Sequence, residues 1–549
     1  MRVTPHAILP AADAAQRVLY AMDEGAGTLG DTSLSAAIYP GGHFRSESHV
    51  ARRLAWLDGG APRKDLQEFL RHENAFAPLA PEQRANLEAA GSPAAVYVLT
   101  GQQPGLLGGP ILWYYKALTC AALAREWSIK LSRPVIPIFW VAGDDSDLAE
   151  CNHVELLERD AGEVHGDLRL PYPADGRMLA MGERRVEPDA LKGLLKRLGV
   201  VWNPETVELM RRAYPAPSTL ASGFLRLAQA QLGREGILFV DGYSRNLRAR
   251  ARPVLEQAIA GWEEWQSLLA AGTTAAAAAG IPIQVDARPG IAHAFLLRNG
   301  ERQRLFAQRL PAGDRLYTAD RPNADAREAM AGAEPTHDVF SRPLAADAIF
   351  PVLGHVLGPA ELRYFAQLSP LFLKSTGDMP LLHPRMTAAL APGSAWDAFQ
   401  AEGIDLAEVM RFGPGALRSR LADTLWRTHP AANVIASTTS DRWLEGLRKS
   451  HARHFRDEGP LARLERTVGA AWKRYQRSLE KAAYAPTAQS HAGLFAHLRW
   501  LGNGMGQDRH LCLGSLLQAI GRDGFVDLRN AVDPLATDVQ LMKYEEPRK

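Results

Sequence analysis

Residues 96–118 read VYVLTGQQPGLLGGPILWYYKAL, and the change of character inside them decides the fold. An apolar run stops at Thr100 and a glycine-rich turn follows. Behind Pro110, Ile111, Tyr115, Leu118 and Ala122 then recur at helical spacing. A short, continuous apolar run bounded by turn residues is the pattern of a parallel strand buried on both faces. PVIPIFWVAG and GILFVDG repeat that pattern downstream, with a helix GFLRLAQAQLG, ending at Gly233, before the second. Strand–helix–strand alternation predicts an α/β fold, a doubly wound parallel sheet with right-handed crossovers. Ligands in such sheets bind beyond the carboxyl ends of the strands. TGQQPGLLGG and GDDSDLAECNH both leave that edge, so they are the first candidates for a site.

The remaining sequence bounds what surrounds this core. A chain of 549 residues is expected to form two or three units. With 46% apolar and 23% charged residues it reads as a soluble globular protein, and a net charge of +2 argues for neither nucleic acid nor a membrane as partner. The N-terminus lacks the order of a signal peptide, and no run approaches the roughly twenty apolar residues of a membrane helix. Cys120, Cys151 and Cys512 show no paired spacing, which points to a reducing, cytoplasmic setting. Residues 1–387 are read as the core, with insertions near 155–215 and 270–330. In the second insertion, IAHAFLLRNGERQRLF reads as antiparallel strands turning at Asn299 and Gly300. Residues 388–490 change to helical patterns. There Leu461, Leu464, Val468, Ala471, Tyr475 and Leu479 form an apolar stripe suited to an amphipathic helix or short coiled coil. Residues 491–549 are expected to pack back on the core.

Three segments carry candidate chemistry. In the first, Thr100, Gly101, Gln102, Gln103, Gly105 and Gly109 surround the turn, whose glycines admit a close ligand and whose following helix start favours anions. It has neither the P-loop lysine nor dinucleotide spacing. A tight turn before a buried helix is the plain alternative. In the second, Asp144, Asp145 and Asp147 crowd three carboxylates into four positions, which repel unless cations or hydrogen bonds compensate; Asn152 and His153 follow closely. Asp145-Ser146-Asp147 is also a D-x-D, a short motif of metal-dependent glycosyltransferases. The third, FSRPLAADAIFPVLGHVLGPAELRYFAQL, offers Arg342, Asp347, Glu361 and Tyr364. Arg342 is suited to clamping a carboxylate or phosphate, while an internal ion pair is the alternative for Arg342 and Asp347.

Taken together, TGQQPGLLGGP, FWVAGDDSDLAECNHV, this third segment and the late GMGQDR resemble the bacillithiol biosynthesis cysteine-adding enzymes, the BshC family, in the same order from Tyr39 to about Arg529. The resemblance implies a Rossmann-like core related to nucleotidyl-transferring enzymes, with connecting-peptide insertions and a helical coiled-coil element that makes homodimers. It also implies a ligase that joins the cysteine carboxylate to the glucosamine amine of glucosaminyl-malate. Ser146 stands where that family commonly carries histidine, which leaves His153 as the nearby imidazole.

Amide formation from a free carboxylate requires activation, so ATP is the expected co-substrate, through a cysteinyl-adenylate or an acyl phosphate. Amides of residues 101–109 would meet phosphate charge. Asp145, Asp147 or His153 would take the acceptor's proton. The same carboxylates are alternatively expected to hold the cysteine ammonium or a Mg²⁺ carried with the phosphates, no dedicated protein metal site being expected. Arg342 would clamp the malyl dicarboxylate. Because the turn carries no lysine, phosphate charge would fall to backbone amides, a metal or Arg342. Two other readings stay open: a nucleotide-sugar glycosyltransferase, and a non-catalytic scaffold on a nucleotide fold.

Overall fold

The computed structural model describes residues 2–9, 37–60, 65–156, 166–173, 176–311, 313–319, 330, 332–401, 403–406, a scatter of residues between 445 and 478, 504–536 and 538–545. Its strands in chain order are β1 (Val3–Leu9), β2 (Val96–Gln102), β3 (Val135–Val141), β4 (His153–Leu156), β5 (Gly166–Arg169), β6 (Leu238–Asp241), β7 (Ile291–Arg298), β8 (Glu301–Leu310), β9 (Gly313–Tyr317), β10 (Glu334–His337), β11 (Val352–Leu357), β12 (Leu381–Pro384), β13 (Thr387–Pro392) and β14 (Val539–Tyr544).

Five of these, in the order β12-β11-β2-β3-β6, make one parallel sheet. The apolar runs are strands for the reason their composition suggests: successive side chains alternate between two buried faces. Tyr97 and Leu99 join Ile136, Ile138 and Trp140 on one face, covered by Leu247, Ala251 and Leu255 of the helix Arg245–Ala260. Val96 and Val98 join Val135 on the other, covered by Cys120, Leu123 and Trp127 of the helix Leu112–Leu131. Helices on both faces make the sheet doubly wound. Numbered by chain position, its strands run 5-4-1-2-3 across the sheet, so the order reverses between β2 and β11. A crevice opens at such a reversal because the connections leave toward opposite faces.

The connections carry the insertions. Between β3 and β6 lie the antiparallel pair β4-β5 and the helices Pro188–Leu198, Pro204–Ala213 and Leu220–Leu232. Between β6 and β11 lies a four-stranded antiparallel sheet, β10-β7-β8-β9. Its β7–β8 hairpin turns at Asn299 and Gly300, both at positive φ (51° and 77°), as a two-residue turn between twisted strands requires. A third sheet, β1-β14-β13, brings both chain ends together.

The chain divides into two compact units. One comprises Met1–Leu157, Gly162–Leu390 and Gly506–Lys549; the other comprises Glu158–Ala161 and Ala391–Met505. In the second unit Leu464, Val468, Ala471 and Tyr475 are helical, with Leu464 and Tyr475 exposed. Leu461 and Leu479 lie outside the described residues. No helix among the described residues is long and apolar enough to cross a membrane.

Candidate active site

The ladder between β2 and β11 ends at Leu99 opposite His355, and the two strands are then tied by Thr100, whose Oγ1 donates to the Val356 carbonyl at 2.8 Å. Beyond that tie lies a lysine. Lys116 sits on the first turns of the helix Leu112–Leu131, almost fully buried, and its three donors are all placed. Nζ lies 3.0 Å from the Gly101 carbonyl, 2.9 Å from Gln102 Oε1 and 2.6 Å from Glu361 Oε2. Glu361 also accepts from the Gly358 amide at 2.7 Å, at the start of the helix Pro359–Ala366. One ion pair thus joins the two sides of the strand-order reversal. Burial pulls the Lys116 ammonium below the ordinary lysine range, and Glu361 opposes that pull. The turn itself has no lysine, but one arrives beneath it from the next helix. Its donors are already engaged.

The acidic loop is compensated rather than crowded. Asp144 is fully buried, with His337 Nδ1 at 2.8 Å and Arg302 at 3.8 Å. Burial would raise its pKa, but His337, Arg342 and Arg302 outweigh that and hold it below the usual carboxylate range. Asp145 accepts from Gln103 Nε2 at 2.9 Å through Oδ2, and from the Ser146 amide and Arg302 through Oδ1 at 2.7 and 3.1 Å. The glutamine turn and the acidic loop therefore converge, as their shared sheet edge predicts. They touch directly, through the hydrogen bond from Gln103 to Asp145. The compensating Arg302 comes from β8 of the insertion and stacks on Phe295 at 3.8 Å. Nothing in its spacing from the acids marks it in the sequence, because β7 and β8 are brought over the sheet only by the tertiary fold.

These elements enclose a cleft of about 920 Å³. Residues 100–103, Trp140 and His355 contribute from the sheet, and Phe295, Arg302, Arg304 and Phe306 from the β7–β8 hairpin. Arg342, Glu361 and Tyr364 come from the two helices flanking β11. Arg342 lies on the helix Ser341–Ile349, and its buried Nε has no hydrogen-bond partner among the described residues. Burial works against its charge, but Asp144, Asp145, Tyr364 and Asp338 hold the guanidinium above the ordinary arginine range. Burial, with Glu361, pushes the Tyr364 hydroxyl well above its usual value against the pull of Arg342. The cleft therefore presents arginine donors over an aromatic lining, a combination chemically suited to flat or anionic groups.

Other expected site residues lie elsewhere. Gly105 and Gly109 do not line this cleft, and the turn is no amide cradle. The amides of Gly105, Leu107, Gly108 and Gly109 donate to Gln103 O, Tyr214 Oη, Gly105 O and Leu106 O at 2.9–3.1 Å. Asp147 caps the short helix Leu148–Cys151 by accepting from the Glu150 amide at 3.2 Å. Asn152 Oδ1 accepts from Arg169 at 3.0 Å, and His153 Nδ1 lies 3.0 Å from the Ala149 carbonyl. Neither lines the cleft. Asp347 is buried against Arg53, which also bonds Asp378 and the Val352 carbonyl. For Asp347 the internal ion pair is what the fold contains. Among the described residues, no group of three or more His, Cys, Asp or Glu is placed to hold a metal ion.

A five-stranded parallel sheet with helices on both faces and a lined cleft at its strand-order reversal defines a Rossmann-like α/β protein. Residues 36–386 match the model of the bacillithiol biosynthesis BshC N-terminal Rossmann-like domain, and the chain belongs to that family. It is 28% identical over 395 residues to a protein of Salinibacter ruber, covering 69% of this chain and 70% of the relative. To a protein of Shouchella clausii it is 31% identical over 307 residues, 54% of this chain and 56% of the relative. To one of Geobacillus kaustophilus it is 28% identical over 428 residues, covering 73% and 76%. Each of these relatives bears the name "Putative cysteine ligase BshC".

Proposed function

We propose that the cleft joins the carboxylate of cysteine to the glucosamine amine of glucosaminyl-malate, with ATP activating the carboxylate. The observation that carries this reading is the meeting of Gln103, Asp145, Arg342 and Tyr364, from three separate segments, around one cleft at the strand-order reversal. Family membership supports the cysteine part. The arginines support two anionic ligands. Arg302 and Arg304 of the hairpin would meet phosphate oxygens, and Arg342 of the helix Ser341–Ile349 would hold the malyl carboxylates. Phe295 and Phe306 offer flat apolar surface for a purine. Mg²⁺ would enter with the phosphates, since the Asp145 oxygens already serve Gln103, Ser146 and Arg302. A homodimer through the helical second unit belongs to the same reading.

Cysteine labelled with ¹⁸O in both carboxylate oxygens tests it. One label should pass to AMP if the activated form is an adenylate, or to phosphate if it is an acyl phosphate. Either transfer supports the reading, while amide formation with both AMP and phosphate unlabelled would exclude activation of cysteine by ATP.

A further inference from the structure

The insertion sheet contains a residue in an unusual backbone state. His293 sits at φ +49° inside β7, where the register with β8 breaks between Ile291 and Phe295. A non-glycine residue in that region is strained by about 1–3 kcal/mol, and such strain persists where the surroundings enforce it. The surroundings here are specific. Asp338 Oδ2 lies 3.1 Å from His293 Nδ1, and Asp338 Oδ1 accepts from the Phe340 and Ser341 amides at 2.9 Å each and from Ser341 Oγ at 3.1 Å. Burial opposes ionisation of Asp338, but His293 and these amides outweigh it and lower its pKa to about 2. With Asp338 accepting at both oxygens, His293 donates to it through Nδ1, and the neutral tautomer of that arrangement carries its lone pair on Nε2. Nε2 is buried with no partner among the described residues, and both His293 and Asp338 line the cleft. Among the described residues His337, His355 and His383 also leave Nε2 without a partner, but of these four His293 alone both lines the cleft and has a carboxylate against Nδ1.

We propose that His293, oriented by Asp338, is the general base that takes the proton from the acceptor amine in this cleft. The inference rests on the ligase reading above. As the amine nitrogen bonds to the carbonyl carbon of activated cysteine, the carbonyl carbon's bond to the phosphate-bearing oxygen breaks. The leaving group departs with that electron pair, and the proton lost by nitrogen passes to Nε2. Asp338 is a positioning residue that fixes the tautomer and stabilises the imidazolium. The other charged groups lining the cleft about the pair are Asp286 and Arg288 before β7, Arg302 and Arg304 on the hairpin, Arg342 on the following helix, and Asp145 and Glu361 farther along the lining.

His293→Asn tests this, because asparagine tolerates the left-handed backbone that alanine would resist. In the full chain, amide formation from cysteine, glucosaminyl-malate and ATP should fall by about 10²-fold or more. Cysteine-dependent ATP turnover in hydroxylamine, which needs no base, should persist and serves as the folding control. The rate of the variant should lose the acidic limb of the wild-type pH profile and be partly restored by added imidazole. Asp338→Asn should shift that limb rather than remove it. Amide formation by His293→Asn within about threefold of wild type at every pH would overturn the base role while leaving the ligase reading intact. Absence of amide product from the wild type would overturn both.

Discussion

Lys116 shows how a single side chain can matter without touching a ligand. Its three acceptors lie on both sides of the strand-order reversal, so replacing it leaves Glu361, Gln102 and a strand-end carbonyl without their donor. Lys116→Met should cost about 3 kcal/mol of unfolding free energy. The double variant with Glu361→Met should recover part of that loss, and a double-mutant cycle by denaturant unfolding measures the difference. Asp241 offers a pH test. Burial, with Asp144 and Glu73 nearby, raises its carboxyl to about 7 despite the Tyr243 amide. A folded value above the unfolded one means the native state holds the proton longer, so stability falls as pH rises from about 4 to about 7 and stays low above it. Asp241→Asn should therefore raise the Tm at pH 8 by about 2 °C or more, with the gain shrinking toward pH 4. At this scale the sequence disclosed little. Residues 100–103 and Arg342 were legible because turn chemistry and a lone arginine beside a proline are local signals. Lys116, Arg302 and His293 were not, because each acts on partners that only the tertiary fold supplies.

The elements were the most legible level, since periodicity is a local property. Val96–Gln102, Val135–Val141 and Leu238–Asp241 are the buried strands that their apolar runs predict, and Asn299-Gly300 turns the hairpin. The helix Pro359–Ala366 follows Gly358 as its proline implies. The glycine turn was legible as a turn but not in its use. Its amides close on themselves and on Tyr214, so the glycines serve packing there. Gly101 makes the point, because a Cβ at that position would lie 2.5 Å from the Trp140 carbonyl on the adjacent strand. Gly101→Ala must push β2 from β3 at the edge where the cleft begins. It should destabilise the chain by about 1–3 kcal/mol and lower activity per folded molecule, read by parallel unfolding and turnover measurements. Unchanged stability would mean that the strands part there without cost.

For the whole molecule, the alternation of strands and helices revealed the doubly wound class, while the strand order 5-4-1-2-3 required the structure. That order places the reversal between β2 and β11, and so brings the third segment, which begins only at Phe340, against residues 100–103. The antiparallel insertion was legible as strands, but its position as a wall of the cleft was not, because no local pattern encodes which face an insertion covers. The same limit applies to the helical segment around Leu464, whose stripe can be read but whose partner cannot. The central claim is that the cleft at this reversal is where cysteine is joined to its acceptor, and Arg342 is its most accessible handle. The direct measurement is mass spectrometry of the full chain incubated with cysteine, glucosaminyl-malate and ATP, in the wild type and in Arg342→Ala. The account predicts a cysteinyl amide from the wild type, with kcat/KM for the acceptor lowered about 10²-fold or more in the variant. Equal acceptor kinetics in the two proteins would place the chemistry elsewhere and contradict it.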